Sequence, residues 1–329
     1  MIKPFKNINN IPVIFASDEN YAPYLGITLK SATDKFSDDY NYDIIILENN
    51  IGDENKKRIL KLSKENISIR FFDITKAIKN EDKFYTSKHI STATYYRLFI
   101  PEILNEYKKI IYLDIDLLIL EDLSKLYNID IGDNMIAAVL DIPLHAKFIN
   151  NEFLEYRKCR DYLEQELNIA DGNSYFQAGV LVMNLDQMRK NNITRKSIEI
   201  LNSGKSFVFH DQCILNKLCY GKVCYLPNCW NSYKSNLHIS LEHNLQEMYA
   251  DGITNPKIVH FTGKGSMKAW NGFMNNKWAW IWNCKSLSLE NGILLYLKLF
   301  LERLKNTLNK EFCRRVRLTC STMKLIYFS

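Results

Sequence analysis

The sequence predicts an α/β fold with a mostly parallel central sheet, and three observations carry that expectation. Short β-branched runs alternate with amphipathic helical stretches through the first half of the chain, the pattern of a sheet covered by helices. The run 110–113 is apolar throughout, as a strand buried on both faces must be. Of the 329 residues, 47% are hydrophobic and 24% charged, which supports a full core and excludes a disordered or fibrous chain.

The elements follow in order. Strands are expected at 11–16, 43–47, 67–72, 109–113 and 135–140. Between the first two, Tyr24, Ile27, Thr28, Ser31 and Ala32 recur at helical spacing. Between the next two, Ile59, Leu60 and Leu62 do the same behind a polar start at Gly52 and Asp53. A charged helical segment is expected at 151–167, an apolar run at 178–185, a helix from near Asp211 and a late short strand at 258–261. No repeat or low-complexity linker divides this part, and the composition shifts only near Ser286, where a leucine-rich basic stretch begins. The expected organisation is therefore a domain at 1–285 and a tail at 286–329.

The formal net charge is +6, and the excess is concentrated after Lys298, which suggests a basic tail meeting something anionic. The eight cysteines are scattered, with no Cys-x-x-Cys pair to signal zinc or redox chemistry. They read as buried thiols in a reduced cytoplasm. The polar start lacks an apolar signal core. The apolar run 293–301 already contains Lys298, and a membrane span needs about 20 apolar residues.

Three constellations could carry chemistry. The first is Tyr112-Leu113-Asp114-Ile115-Asp116: two carboxylates close a buried strand, where alternation points them the same way. Like charges so close need a cation or strong hydrogen bonds to stay ionised. Oxygen ligands suit Mg²⁺ or Mn²⁺, and an added imidazole favours Mn²⁺. Alternatively, Asp114 begins a turn and Asp116 caps it. The second is Phe15-Ala16-Ser17-Asp18-Glu19-Asn20-Tyr21, a first strand ending where open α/β sheets collect ligands, or else an ordinary N-cap through Asp18 or Asn20. The third is Val259-His260-Phe261-Thr262-Gly263 with Lys264 and Lys268 behind it. It offers an imidazole and cations for a diphosphate, or else a partly buried histidine beside a glycine turn.

With Tyr95-Tyr96-Arg97-Leu98, Phe176-Gln177-Ala178-Gly179-Val180-Leu181-Val182-Met183-Asn184 and His210-Asp211-Gln212, these make six motifs in order, and together they resemble family 8 of the glycosyltransferases. The resemblance implies a nucleotide-diphospho-sugar transferase (GT-A type) fold. It implies a retaining enzyme that moves galactose or glucose from a UDP-sugar to a hydroxyl of a surface glycan such as lipopolysaccharide or lipooligosaccharide. Asp114, Asp116 and His260 would hold Mn²⁺, with Mg²⁺ as the alternative. Ala16, Asp18, Asn20 and Ile115 would contact the nucleotide, with Arg97 as a donor-side cation. Asp141, Asp211 and Gln212 would face the donor sugar, Gln212 as a weak nucleophile or a polar wall. Same-face attack through an oxocarbenium-like ion pair is preferred, because a neutral amide is a poor nucleophile.

Two positions depart from the family pattern. Gln177 stands where close relatives carry Asn, which bears on sugar preference. The Lys-Pro-Trp that follows the late histidine becomes Lys268-Ala269-Trp270 at longer spacing, so Lys268, beyond Gly263, is the expected diphosphate contact.

The tail mixes Arg314, Arg315, Arg317 and Lys324 with apolar residues and can lie on an anionic inner leaflet, where the family's lipid-linked acceptors sit. A peripheral location on the inner face of the cytoplasmic membrane follows; the other reading is a helix packed on the catalytic domain. The rivals are a same-fold transferase acting on a protein or another glycan, and a non-catalytic nucleotide-sugar-binding protein. A nucleic-acid binder is disfavoured, because the charge sits in one tail.

Overall fold

The computed structural model describes residues 2–78, 91–155, 157–233, 243–263, 267–270, 277–286 and 289. The chain divides into two compact units, 1–262 and 263–329. Expectations for Lys264 and for nearly all of the tail 286–329 lie outside the described residues. The expected boundary at 285/286 falls inside the second unit.

The strands of the first unit are β1 (Asn10–Asp18), β2 (Asn41–Asn49), β3 (Ile67–Asp73), β4 (Lys109–Leu113), β5 (Leu117–Ile119), β6 (Ile136–Leu140), β7 (Phe153–Leu154), β8 (Arg157–Lys158), β9 (Phe176–Asn184), β10 (Val223–Leu226) and β11 (Ile258–His260). Seven of them form one sheet in the order β10-β6-β9-β4-β1-β2-β3. Its neighbours are parallel except for β9, which runs antiparallel to both β4 and β6. The mostly parallel sheet read from the sequence is therefore present, with one reversed strand near its middle.

The near-continuous apolar strands have a simple cause. Ile14, Ala16, Ile110, Tyr112, Leu181 and Met183 enter the core on one face, while Val13, Phe15, Ile111, Leu113, Val180 and Val182 enter the core on the other. Alternation persists, but both destinations are apolar. Each such fully buried large side chain contributes roughly 1.5–3 kcal/mol.

The helix Ala22–Thr33 starts with a proline in its first turn, where the missing N–H costs nothing. Its polar side chains do structural work: Thr28 Oγ1 donates to the Ile115 and Leu117 carbonyls at 2.5 and 3.0 Å, and Ser31 Oγ accepts from Ile119 N at 3.0 Å. The helix thus fastens the segment that follows β4.

Two expectations need correction. Residues 151–167 are helical only from Cys159 on. The chain folds into the β7–β8 hairpin, then a short helix Cys159–Asp161 running into a π-helical turn Tyr162–Glu166. The reason is local: Asn151 and Glu155 adopt left-handed backbone conformations, with φ of 47° and 58°, which a right-handed helix cannot include. The Asp114 and Asp116 carboxylates also do not continue the alternation of β4. The strand ends at Leu113, and both lie in the link between β4 and β5.

Among the described residues, no helix is long and apolar enough to cross a membrane.

Candidate metal centre and active site

The site forms where the β4–β5 link meets β9 and β11. Asp114 N continues the sheet by donating to Gly179 O at 2.8 Å. The chain then turns, and β5 pairs antiparallel with β11, setting Leu117 opposite His260. Phe261 N donates to Asp116 O at 3.0 Å. These backbone contacts bring His260 against both carboxylates: His260 Nε2 lies 3.2 Å from Asp116 Oδ1 and 3.7 Å from Asp114 Oδ2.

One ligand atom from each of the three residues lies within 4.8 Å of the others. In a six-coordinate Mg²⁺ or Mn²⁺ site with bonds of about 2.1 Å, adjacent donors stand about 3.0 Å apart and opposite ones about 4.2 Å. The 3.2 Å separation is close to that of adjacent corners and the 3.7 Å one lies between adjacent and opposite, and the donor set of two carboxylates and one imidazole fits a borderline divalent cation. His260 and Asp116 are 4% and 5% exposed, so the site has a rigid floor.

Gly179 makes this approach possible. A Cβ there would stand 2.2 Å from His260 Cε1 and 2.8 Å from Asp114 Oδ2, distances that side chains do not tolerate. A glycine inside an otherwise apolar strand is the available signal for such a close approach. Sequence reasoning quoted the motif without giving Gly179 that role.

Arg97 is delivered by the short 3₁₀ helix Thr92–Phe99, which Ser91 caps by accepting from Ala93 N. Its Nη2 donates to Asp114 Oδ1 at 2.8 Å, Nη1 to Ala178 O at 2.5 Å, and Nε pairs with Asp211 Oδ2 at 2.9 Å. The guanidinium also stacks on Tyr112, 4.3 Å from the ring centre. Burial opposes its charge, but Asp114 and Asp211 outweigh that and raise its pKa above the ordinary arginine value. Arg97 therefore fixes Asp114 Oδ1 and leaves Oδ2 turned toward His260.

Asp211 and Gln212 sit in the first turn of the helix His210–Cys219. Burial raises the Asp211 carboxyl pKa against the opposing effects of Arg97 and of Thr94, whose hydroxyl donates to Asp211 Oδ1 at 2.6 Å. The Gln212 amide is held at both ends: Oε1 accepts from Ala178 N at 3.0 Å, and Nε2 donates to Asp141 Oδ2 at 3.0 Å. Asp141 Oδ1 accepts from Leu144 N, capping the helix Ile142–Ile149, and from the Tyr233 hydroxyl, each at 3.2 Å. Burial raises the Asp141 pKa, with these hydrogen bonds working against it. Thr94 and Tyr233 carried no sequence signal.

The early motif is arranged as a turn. Asp18 Oδ1 accepts from Asn20 N and Tyr21 N at 3.0 and 3.2 Å, while Oδ2 accepts from Ser91 Oγ at 2.5 Å. The capping role considered for Asp18 is thus present, whatever else it contacts. Ala16 is buried and Asn20 exposed. Ile115 is half-buried, with its carbonyl held by Thr28.

Gln177 is turned inward, its Oε1 accepting from Gly179 N at 2.6 Å and from Asn231 Nδ2 at 2.5 Å. Gly263 and Lys268 belong to the second unit. There, Gly263 has φ of 94° with Met267 packed close against it, and Lys268 lies over the Trp270 ring.

A family model described as glycosyl transferase family 8 matches residues 12–273. General stress protein A of Bacillus subtilis is 30% identical over 268 residues, 79% of this chain and 87% of that protein. Lipopolysaccharide 1,2-glucosyltransferase of Escherichia coli is 26% identical over 301 residues, 87% of this chain and 80% of the relative. The crystal structure of galactosyltransferase LgtC in complex with donor and acceptor sugar analogs superposes with a TM-score of 0.67 at 26% identity, covering 85% of this chain and 96% of that one. The apo structure of the bifunctional glycosyltransferase WbbM gives 0.73 at 29% identity and covers 87% of this chain. The chain spans only 53% of WbbM. The GT-A type fold implied by the six ordered motifs is the fold observed, and with a family model matched over 12–273, the chain belongs to glycosyl transferase family 8.

Proposed function

We propose that this glycosyltransferase is a metal-dependent, retaining hexosyltransferase that moves galactose or glucose from a UDP-sugar to a hydroxyl of a surface glycan of the lipopolysaccharide or lipooligosaccharide kind. The observation that carries the proposal is the convergence of Asp114, Asp116 and His260 at one point of the sheet rim. The acceptor class is supported by the E. coli lipopolysaccharide glucosyltransferase among the relatives. The donor class is supported by the likeness to LgtC, a galactosyltransferase.

In this reading Asp114 Oδ2, Asp116 and His260 Nε2 hold Mn²⁺, with Mg²⁺ as the alternative. The bound cation acts as a Lewis acid toward the leaving diphosphate. Arg97 positions Asp114 and Asp211 rather than reaching for phosphate itself, because Ala178, Asp114 and Asp211 already engage it. Ala16, Asp18, Asn20 and Ile115 line the nucleotide side, and Gly263 and Lys268 serve the diphosphate. Asp141, Asp211 and Gln212 face the donor sugar.

Retention through same-face attack is favoured over a Gln212 nucleophile. The amide is neutral, and its oxygen already accepts a backbone hydrogen bond, which lowers its nucleophilicity further. The domain 1–285 would act with the tail 286–329 resting on an anionic inner leaflet, a peripheral location at the cytoplasmic face of the membrane.

The test is UDP release from a panel of UDP-sugars by purified protein, with Mn²⁺ and with chelator. Mn²⁺-dependent release from UDP-galactose or UDP-glucose alone is the expected result. Release unaffected by chelator would overturn the metal assignment. No release together with no Mn²⁺-dependent UDP binding would overturn the enzyme.

A further inference from the structure

We infer that Gln177 and Asn231 form a relay that holds a hydrogen of His260 on Nδ1, so that Nε2, the nitrogen facing the Asp114–Asp116 pair, is the one that can ligate. The inference rests on the metal reading above for its purpose, but its chemistry follows from hydrogen-bond direction alone.

The relay starts at a backbone N–H. Gly179 N can only donate, and it meets the Gln177 side chain at 2.6 Å, so the atom there is the Gln177 oxygen. The Asn231 side chain lies 2.5 Å from the same oxygen. It must present its NH₂ group, since two carbonyl oxygens cannot share a hydrogen bond. The Asn231 oxygen is then forced to the opposite side, where it lies 2.9 Å from His260 Nδ1. That oxygen can only accept, so Nδ1 carries the hydrogen. The orientation of each amide, ordinarily ambiguous, is thereby set in sequence from one fixed donor.

The arrangement opposes what the carboxylates alone would select. Facing Asp116 Oδ1 at 3.2 Å, the imidazole gains most by placing a hydrogen on Nε2, which would block coordination. The acceptor on Nδ1 ensures that the hydrogen kept when Nε2 coordinates is the one on Nδ1.

The scaffold keeps the relay in register. Asn231 is 0% exposed and ends a short 3₁₀ turn, Asn228–Asn231. The next residue is laced to β11: Ser232 N donates to Ile258 O at 2.9 Å, and His260 N to Ser232 O at 2.7 Å. The Asn231 amide therefore cannot drift from the imidazole. The Gln177 side chain is long enough to span from Gly179 N to Asn231.

Three measurements test the relay. The first needs no variant and no metal: nitrogen-15 correlation spectra of the metal-free wild-type protein, with His260 assigned by its loss in His260→Gln. A hydrogen on Nδ1 is expected whether or not Nε2 also carries one, and an Nδ1 without a hydrogen would overturn the proposal. The second is Mn²⁺ binding followed by electron paramagnetic resonance. Asn231→Leu should weaken binding about 10- to 100-fold, the usual cost of losing such a partner. Asn231→Asp, which keeps the acceptor, should bind far more tightly than Asn231→Leu. Equal binding by a folded Asn231→Leu protein would sink the idea. The third is Gln177→Met, at a half-buried position, which should weaken Mn²⁺ by a smaller factor and shift the tautomer ratio toward Nε2–H. An unchanged ratio would remove Gln177 from the relay. A wild-type protein that binds no Mn²⁺ would count against the functional reading, while the spectra would still decide the relay.

Discussion

Two places on the same sheet bury carboxylates, and they treat them in opposite ways. On β2, Asp43 is 0% exposed, and its neighbours within the chain neutralise it. Arg70 Nη2 lies 2.6 Å from Oδ1, while Tyr107 OH and Phe5 N donate to Oδ2 at 2.8 and 2.9 Å. At the rim, Asp114 and Asp116 face each other across His260, and Arg97 pairs with Asp114 through Oδ1. The first arrangement supplies its own cation and ties the chain's start to the sheet. The second holds like charges together and, on the proposed reading, takes its cation from outside. Burial of a carboxylate therefore does not by itself mark function; the origin of the counter-charge does.

Substitutions can break this contrast, the largest effect first. Asp116→Ala should lower turnover at saturating UDP-sugar by about a thousandfold or more. It should also leave the melting temperature in chelator unchanged or raised, since one of two like charges is gone. A large loss of stability in chelator would place Asp116 in the same class as Asp43. Conversely, Asp43→Ala should cost about 2–4 kcal/mol in urea unfolding. That range is trimmed from the usual cost of breaking a buried pair because Arg70 is 34% exposed and partly screened. Mn²⁺ affinity of its folded fraction should stay at the wild-type value.

Gly179→Ala sharpens the comparison from the side of space rather than charge. Its Cβ would displace His260, so the Mn²⁺ dissociation constant should rise on the order of tenfold, equivalent to about 1.4 kcal/mol. The smallest effect is expected for Tyr107→Phe, which removes one hydroxyl from the Asp43 network at a cost of about 1 kcal/mol, read by the same urea titration without change in turnover.

Much of this was legible in the sequence, for reasons that differ by residue. Asp114, Asp116 and His260 stand out because charge and imidazole at the ends of apolar runs are costly without a purpose. The strands announced themselves because both faces of the sheet are apolar. Asn231 gave no sign, since an amide in a polar turn is ordinary and its meaning arises only when β11 brings His260 beside it. Gln177 read as a sugar contact because its motif lies at the rim, whereas its direction is set by Gly179 N and Asn231, the latter distant in sequence. The stretch 151–167 read as a helix because its charge spacing allows one; the left-handed residues Asn151 and Glu155 decide otherwise.

The reversed strand β9 also bears on the order of assembly. It can join the sheet only between β4 and β6, which precede it in the chain, and it pairs with both. The centre then waits for β11, which pairs with β5 from far downstream. Pairings so distant in sequence close slowly, and a nascent chain still short of His260 lacks one member of the proposed ligand set however well its sheet has formed. On the proposed metal reading, a loaded molecule is one whose first unit has been made through β11.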